Sequence, residues 1–132
     1  MFFFIIIKHN SKRIKKKNFQ KIGKLQLWEH LIVKLKNQKV FIDTDSDYII
    51  KKCKKLYNWV NVYKREKKFI VMENQNRASP TLGMIDNFLK KHVKNLNDII
   101  VTTHVTSPFL KLKTIMNATK KLKKYDSIAA VT

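Results

Sequence analysis

The sequence predicts an α/β fold of three layers, with helices on both faces of a mostly parallel sheet. The first observation is Phe2–Ile7, an unbroken apolar run that suits a strand buried on both faces of such a sheet. The second is the alternation of short apolar segments with stretches of helical spacing, which favours parallel strands joined by right-handed crossovers. The third is size, because 132 residues, 44% of them hydrophobic, suffice for a single domain with one core.

The first half of the chain predicts three strands and two helices. Leu27, Leu31 and Leu35 recur at helical spacing, and so do Ile49, Cys53 and Leu56 further along. The predicted elements are the strand Phe2–Ile7, a basic loop over 8–24 with a turn at Gly23, a helix near 26–36, the strand Lys39–Asp43, a helix capped by Thr44 or Ser46, and the strand Trp59–Tyr63.

The second half continues the alternation after a long loop. Residues 64–80 carry no periodicity and hold most of the turn residues, which is typical of a functional or disordered loop. The predicted elements after it are a helix over 82–96, the strand Asp98–Thr103, a loop over 104–108, a helix near 111–123 and the strand Ser127–Val131. The sequence thus ends on a strand without a covering helix.

The net charge of +20, from 29 basic and 9 acidic residues, would by itself suggest nucleic acid as a partner. However, only Arg13, Arg65 and Arg77 are arginines, and lysine fills most polar positions. A general lysine bias therefore explains the charge better, and we expect nucleic-acid binding to be non-specific. A basic nucleic-acid-binding module without catalysis stays as an alternative, although no aromatic residues interleave with the basic loop.

The remaining composition limits the class of protein. One cysteine, Cys53, permits neither an internal disulfide nor a cysteine metal cluster. The apolar run Phe2–Ile7 is too short for a signal peptide, and no stretch approaches a membrane span. We expect a cytoplasmic protein without a membrane partner.

The loop after the first strand has the composition of a phosphate site. Asn10 and Ser11 form a polar turn, and Lys8, Lys12, Arg13, Lys15, Lys16 and Lys17 surround it with positive charge. A cationic loop at the carboxyl end of a central strand is where open α/β sheets bind phosphates. A solvated basic loop is the alternative for Lys8, Lys12 and Lys17.

The segment from Ile7 to Asn18, IKHNSKRIKKKN, resembles the signature of the N-acylneuraminate cytidylyltransferases, the CMP-sialic acid synthetases. That family reads roughly A-R-x-x-S-K-R-x-x-x-K-N after its first strand. Ser11, Lys12, Arg13, Lys17 and Asn18 match in register. Lys8 stands at the family's Arg, and His9 and Asn10 replace a common pair of glycines.

Five later segments resemble the family in the same order. Val40–Ser46 is similar to V-x-V-S-T-D-S, Thr103–Leu110 to L-Q-P-T-S-P-L-R, and Ser127–Thr132 to D-S-V-V-S-V. Tyr63–Arg65 and Ser79–Thr81 match the regions near the nucleoside. The resemblance implies a nucleotide-diphospho-sugar transferase-like, Rossmann-like fold, of which this chain carries the amino-terminal portion.

The family transfers CMP from CTP to a 2-keto sugar acid and releases pyrophosphate with Mg²⁺ present. On this resemblance Lys8, Lys12 and Lys17 are the catalytic cations on the triphosphate. The nucleotide-binding positions are Ser11, Arg13, Asn18, Arg65 and Thr81. His104 stands at the family's Gln near the sugar, so the acid is open: pseudaminic acid, legionaminic acid and Kdo are alternatives to sialic acid.

No metal ligand is predicted among the residues present, because the family's metal-binding aspartates lie beyond the region that corresponds to Thr132. The resemblance thus implies a truncated domain, a split subunit or a decayed copy, with little or no turnover alone. The partners that it implies are CTP, a keto-sugar acid, and a homodimer mate or a completing polypeptide.

Overall fold

The computed structural model describes residues 1–11, 14–75 and 79–129. The strands in chain order are β1 Phe2–Ile7, β2 Lys21–Ile22, β3 Leu25–Gln26, β4 Val40–Thr44, β5 Asn61–Lys64 and β6 Ile100–Thr102. The α-helices are α1 Leu27–Lys34, α2 Asp47–Leu56, α3 Lys67–Asn74, α4 Thr81–His92 and α5 Leu112–Lys120, and short 3₁₀ turns span Lys17–Phe19 and Lys121–Lys123.

The main sheet has the order β5-β4-β1-β6, and all its neighbouring strands are parallel. β1 lies inside this sheet and pairs with β4 from Phe3–Val40 to Ile7–Thr44, and with β6 from Phe2–Ile100 onwards. A strand with partners on both edges and packing on both faces must be apolar throughout, which explains the composition of β1. The predicted mostly parallel sheet and its central first strand are confirmed.

Successive β1 side chains point to opposite faces and form two cores. Phe3, Ile5 and Ile7 pack with buried residues of α1, α2 and α5. Phe2 and Phe4 pack on the other face with residues of α3 and α4. The helices therefore form one layer on each side of the sheet, which confirms the three-layer arrangement.

The helix ends agree with ordinary capping chemistry. The side-chain oxygen of Ser46 accepts a hydrogen bond from the backbone N–H of Ile49 at 3.3 Å, so Ser46 is the cap of α2. At α1, Gln26 and Glu29 form a reciprocal capping box. None of the helices in the described residues is long and apolar enough to cross a membrane.

Two elements were missed by the sequence prediction. Residues 64–80 are not one long loop, because α3 occupies 67–74 with only Phe69 buried, too few apolar contacts to produce a helical period. The basic loop contains the small antiparallel hairpin β2–β3, in which Gly23 has φ 63°, a left-handed conformation that glycine adopts without strain.

Several boundaries and the last strand also differ from the prediction. The third predicted strand begins at Asn61 instead of Trp59, and α4 ends at His92 because Leu96 is fully exposed. The predicted last strand is wrong for residues 127–129, which are not in a strand, and its remainder lies outside the described residues.

We predict that Phe88→Ala lowers the free energy of unfolding by about 3–5 kcal/mol. Phe88 is fully buried and stacks on Phe4 with ring centroids 4.4 Å apart, so its removal leaves a cavity between α4 and β1. Leu82→Ala is the matched control on the same helix, because Leu82 is 80% exposed. Urea denaturation measures both, and equal losses would contradict this account of the core.

Candidate functional site

A cleft of about 830 Å³ opens where β1 and β4 end, on the side of their carboxyl termini. Parallel strands leave their connecting loops at this edge, so side chains from distant parts of the chain meet there. The lining residues are Ile6, Lys8, Asn10, Ser11, Lys17, Asn18, Asp45, Ile70, Glu73, Asn74, Thr81, His104, Val105 and Thr106.

The two ends of the first loop are tied together beside the cleft. The side-chain amide of Asn18 donates to the backbone carbonyl of Lys8 at 2.8 Å, and only 7% of Asn18 is exposed. Its side-chain oxygen is buried and accepts no hydrogen bond from any described residue. Lys16, with φ 52°, turns the chain into the short 3₁₀ segment that carries Lys17 to the cleft.

His9 attaches the same loop to the end of β4. Its backbone N–H donates to Asp45 Oδ1 at 2.6 Å, and its ring Nδ1 lies 2.9 Å from Ser46 Oγ. The His9 ring also packs on Phe19, with centroids 5.0 Å apart. A residue that replaces a common glycine of the resembling family therefore fixes the loop through its ring.

A chain of alternating charges forms the wall between the first loop and α3. Lys8 Nζ lies 2.9 Å from Glu73 Oε1, and Arg65 Nη1 lies 2.9 Å from Glu73 Oε2. Arg65 Nε lies 2.6 Å from Asp43 Oδ1, and Arg65 Nη2 donates to the carbonyls of Ile7 at 3.4 Å and Asp43 at 3.3 Å. The Arg65 side chain is entirely buried.

Burial raises the pKa of Asp43, and the hydrogen bond and positive charge of Arg65 oppose that rise. Glu73 and Asp45 add negative charge nearby and raise the pKa of Asp43 further. Arg65 is therefore the group that keeps this carboxylate ionised inside the protein.

The start of α4 and the loop after β6 also line the cleft. Thr81 begins α4, and its Oγ1 lies 2.9 Å from Ser79 Oγ. In the loop after β6, Val105 is buried in the core while its neighbours His104 and Thr106 face the cleft. Lys34 of α1 donates to the carbonyls of Pro108 and Leu110 and so holds this loop in place.

The structure brings together six of the residues that the sequence singled out: Lys8, Ser11, Lys17, Asn18, Thr81 and His104. Lys12 and Arg13 lie outside the described residues. Arg65 corrects the expectation of a nucleoside contact, because its buried guanidinium pairs with two carboxylates and does not line the cleft.

The sequence reasoning missed Glu73 and Asp45, the two carboxylates of the cleft. Asp45 lies in the turn compared with the family, so its position was visible but its role was not. Glu73 lies in the segment interpreted as a loop. It is one of two acidic residues between Arg65 and Thr81, in a chain with few acids, and that rarity was the available signal.

The described residues do not by themselves fit a Mg²⁺ site. They contain no group of three or more histidine, cysteine, aspartate or glutamate side chains that could hold a metal. Of the two carboxylates in the cleft, Glu73 lies between two cations, and Asp45 accepts the His9 N–H.

The described structure is thus an α/β protein with a parallel sheet and a cleft at the carboxyl ends of its strands, the edge at which open α/β sheets bind ligands. A family model described as cytidylyltransferase matches residues 3–131. The chain therefore belongs to the cytidylyltransferase family, as the motifs in its sequence predicted. The search of curated proteins found no match.

Two solved structures share the fold. One is a CMP:2-keto-3-deoxy-manno-octonic acid synthetase complexed with CTP, with a TM-score of 0.67, 12% identity and 96% of this chain covered. The other is a cytidylyltransferase from Leptospira borgpetersenii serovar Hardjo-bovis, with a TM-score of 0.66, 18% identity and 93% covered. The chain spans about half the length of each, 48% and 49%.

We predict that Arg65→Met costs about 3–5 kcal/mol of stability at pH 7, because it leaves the buried Asp43 carboxylate without its counter-charge. The loss should shrink towards pH 4. Since burial raises the pKa of Asp43 above its ordinary 3.8, the folded state holds the proton more tightly than the unfolded state. The contribution of Asp43 to the free energy of unfolding therefore falls as the pH rises from 3.8 to the raised pKa of the folded state. The fall is steeper in Arg65→Met, because Arg65 no longer opposes the rise in that pKa.

The matched control is Lys64→Met, next in the sequence, whose partner Asp47 is largely exposed. We expect a cost below about 1 kcal/mol, as for surface ion pairs. Denaturant unfolding of both variants at several pH values makes the measurement. A loss for Arg65→Met that does not vary with pH would contradict the proposed role.

Proposed function

We propose that this chain forms the nucleotide-binding part of a cytidylyltransferase that binds CTP and passes CMP to a 2-keto sugar acid, releasing pyrophosphate. The observation that carries the proposal is that Lys8 and Lys17, from the loop after β1, line the cleft. The chain belongs to the cytidylyltransferase family, and the same loop carries the motif that resembles that family. The relative of the same fold that holds CTP supports the choice of nucleotide.

The charges of the cleft suit a triphosphate. Lys8 and Lys17 approach from two ends of the same loop, and Ser11 lies between them in the sequence with a hydroxyl that donates to phosphate oxygens. We also propose Lys12 and Arg13 as triphosphate contacts, because they belong to the same motif. The buried side-chain oxygen of Asn18 is an acceptor that suits a ribose hydroxyl or the amino group of cytosine.

In the proposed reaction the anomeric hydroxyl of the acid gives up its proton to water, and its oxygen forms a bond to the α-phosphorus of CTP. The bond from that phosphorus to the oxygen bridging the β-phosphate breaks, and the electron pair leaves with pyrophosphate. Lys8 and Lys17 contribute by orienting the triphosphate and by stabilising charge on its oxygens, which is the main task of a protein in such transfers. The Mg²⁺ expected for the family would need ligands other than those described.

The acceptor acid is proposed from the resemblance, which favours an N-acylneuraminate. His104 lines the cleft and stands at the position of the family's Gln near the sugar, from which it differs, and Thr106 lines the cleft beside it. Titration calorimetry of the chain with CTP present tests the acceptor, using sialic, legionaminic, pseudaminic and Kdo acids, because binding does not require turnover. Binding of one acid alone identifies the acceptor, and binding of Kdo alone would refute the N-acylneuraminate assignment.

We predict that the chain binds CTP more tightly than UTP or ATP, and that Lys17→Ala weakens CTP binding about tenfold, a loss of about 1.4 kcal/mol. Removing the Lys17 ammonium removes a charge-assisted contact from the cleft. Titration calorimetry at fixed ionic strength measures the affinities.

Lys21→Ala is the matched control, because Lys21 is an exposed lysine on β2 that does not line the cleft. It removes the same net charge and should change the affinity less than twofold. Equal binding of all three nucleotides would mean that charge alone is recognised. Equal losses in the two variants would place the phosphates elsewhere.

A further inference from the structure

Glu73 is one of two carboxylates in the cleft, and it is the one that pairs with a lysine proposed to bind phosphate. Its two carboxylate oxygens have different partners: Oε1 pairs with Lys8 and Oε2 with Arg65, each at 2.9 Å. The carboxylate is 10% exposed, while the Lys8 side chain is 45% exposed. The cation offered to a phosphate is therefore already engaged by a shielded protein carboxylate.

We infer that Glu73 competes with phosphate for Lys8, so that a ligand must displace this carboxylate before it gains the Lys8 contact. This inference rests on the proposed function, since it takes the cleft as the triphosphate site. It makes Glu73 a positioning residue that acts through Lys8 and sets how many phosphates a ligand needs.

When a ligand separates Lys8 from Glu73, Lys8 is the residue that moves and Glu73 stays with Arg65. Glu73 is held by Arg65, which is itself fixed by Asp43 and by the backbone carbonyls of Ile7 and Asp43. Releasing Glu73 from Arg65 would leave a buried guanidinium short of a partner, which is costly. Lys8 has a flexible four-carbon stem and substantial exposure, so its ammonium can turn from Glu73 to a ligand at low cost.

The need to displace Glu73 from Lys8 makes the affinity of a ligand depend on how many phosphates it carries. A single phosphate that takes Lys8 from Glu73 replaces one ion pair by another and lies near the uncovered carboxylate, so it gains little. A triphosphate reaches Lys17 as well, and this second contact has no carboxylate to displace among the described residues. Glu73 therefore disfavours short phosphates more strongly than long ones.

A purely structural role for Glu73 leads to the opposite result. If the carboxylate only held Lys8 in a useful position, its removal would loosen Lys8 and weaken anion binding. Competition requires that removal strengthens binding, and that the gain depends on Lys8. The sign of the change therefore distinguishes the two roles.

The experiment compares Glu73→Gln with Glu66→Gln by titration calorimetry, with inorganic tripolyphosphate and orthophosphate as probes. Both variants remove one negative charge near α3, but Glu66 pairs with Lys68 and Lys91 on the surface, away from the cleft. We expect Glu73→Gln to bind tripolyphosphate about five- to tenfold more tightly, because the ligand no longer has to displace a carboxylate from Lys8. Orthophosphate should gain by a larger factor, and Glu66→Gln should change either affinity less than twofold.

The same substitution in a Lys8→Ala background completes a double-mutant cycle. The gain should vanish there, because no ammonium remains to be released. If thermal denaturation shows that Glu73→Gln does not fold, Glu73→Asp replaces it. The shorter side chain keeps a counter-charge for Arg65 but cannot span both cations, so tighter tripolyphosphate binding is again expected.

Unchanged or weaker tripolyphosphate binding by the folded Glu73 variant overturns the inference, and so does a gain that persists without Lys8. The proposed function fails separately if tripolyphosphate binds as described here while CTP shows no preference over UTP and ATP. If no variant binds tripolyphosphate, both fail.

Discussion

A guanidinium group lies without solvent contact where β1, β4 and α3 meet. Arg65 joins the Asp43 carboxylate of β4 to Glu73 of α3, and it caps the last carbonyl of β1 as well. Because an unpaired charge there would be costly, the partners must stay together for the fold to close. These contacts also hold the wall of the cleft between the first loop and α3, because Lys8 of the loop pairs with the same Glu73 carboxylate as Arg65.

Much of the fold could be predicted from sequence patterns that extend over several residues. Phe2–Ile7 had to be central, because an unbroken apolar run needs burial on both faces and partners on both edges. The helix α3 escaped prediction because Phe69 is its one buried residue, so its other contacts are ion pairs that leave no periodic trace. The hairpin β2–β3 is too short for any alternation to show.

The candidate site was predictable where a motif fixes residue type and spacing together. Lys8, Lys17 and Asn18 were found in this way, and the sheet brings them to one edge. Arg65 was misplaced because a sequence records that an arginine is present, while its direction depends on tertiary partners. Asp43 and Glu73 are 30 residues apart and act as a pair only through Arg65, so no local pattern could reveal them.

The hydrogen bond from the Asn18 side-chain amide to the backbone carbonyl of Lys8 joins the two ends of the segment 8–18. Closing a flexible segment of this length costs conformational entropy that grows only slowly with the number of residues enclosed. That cost falls on folding, before any ligand arrives, so a ligand meets a loop whose two ends are already fixed. The closure uses only the backbone carbonyl of Lys8, so the Lys8 side chain still lines the cleft.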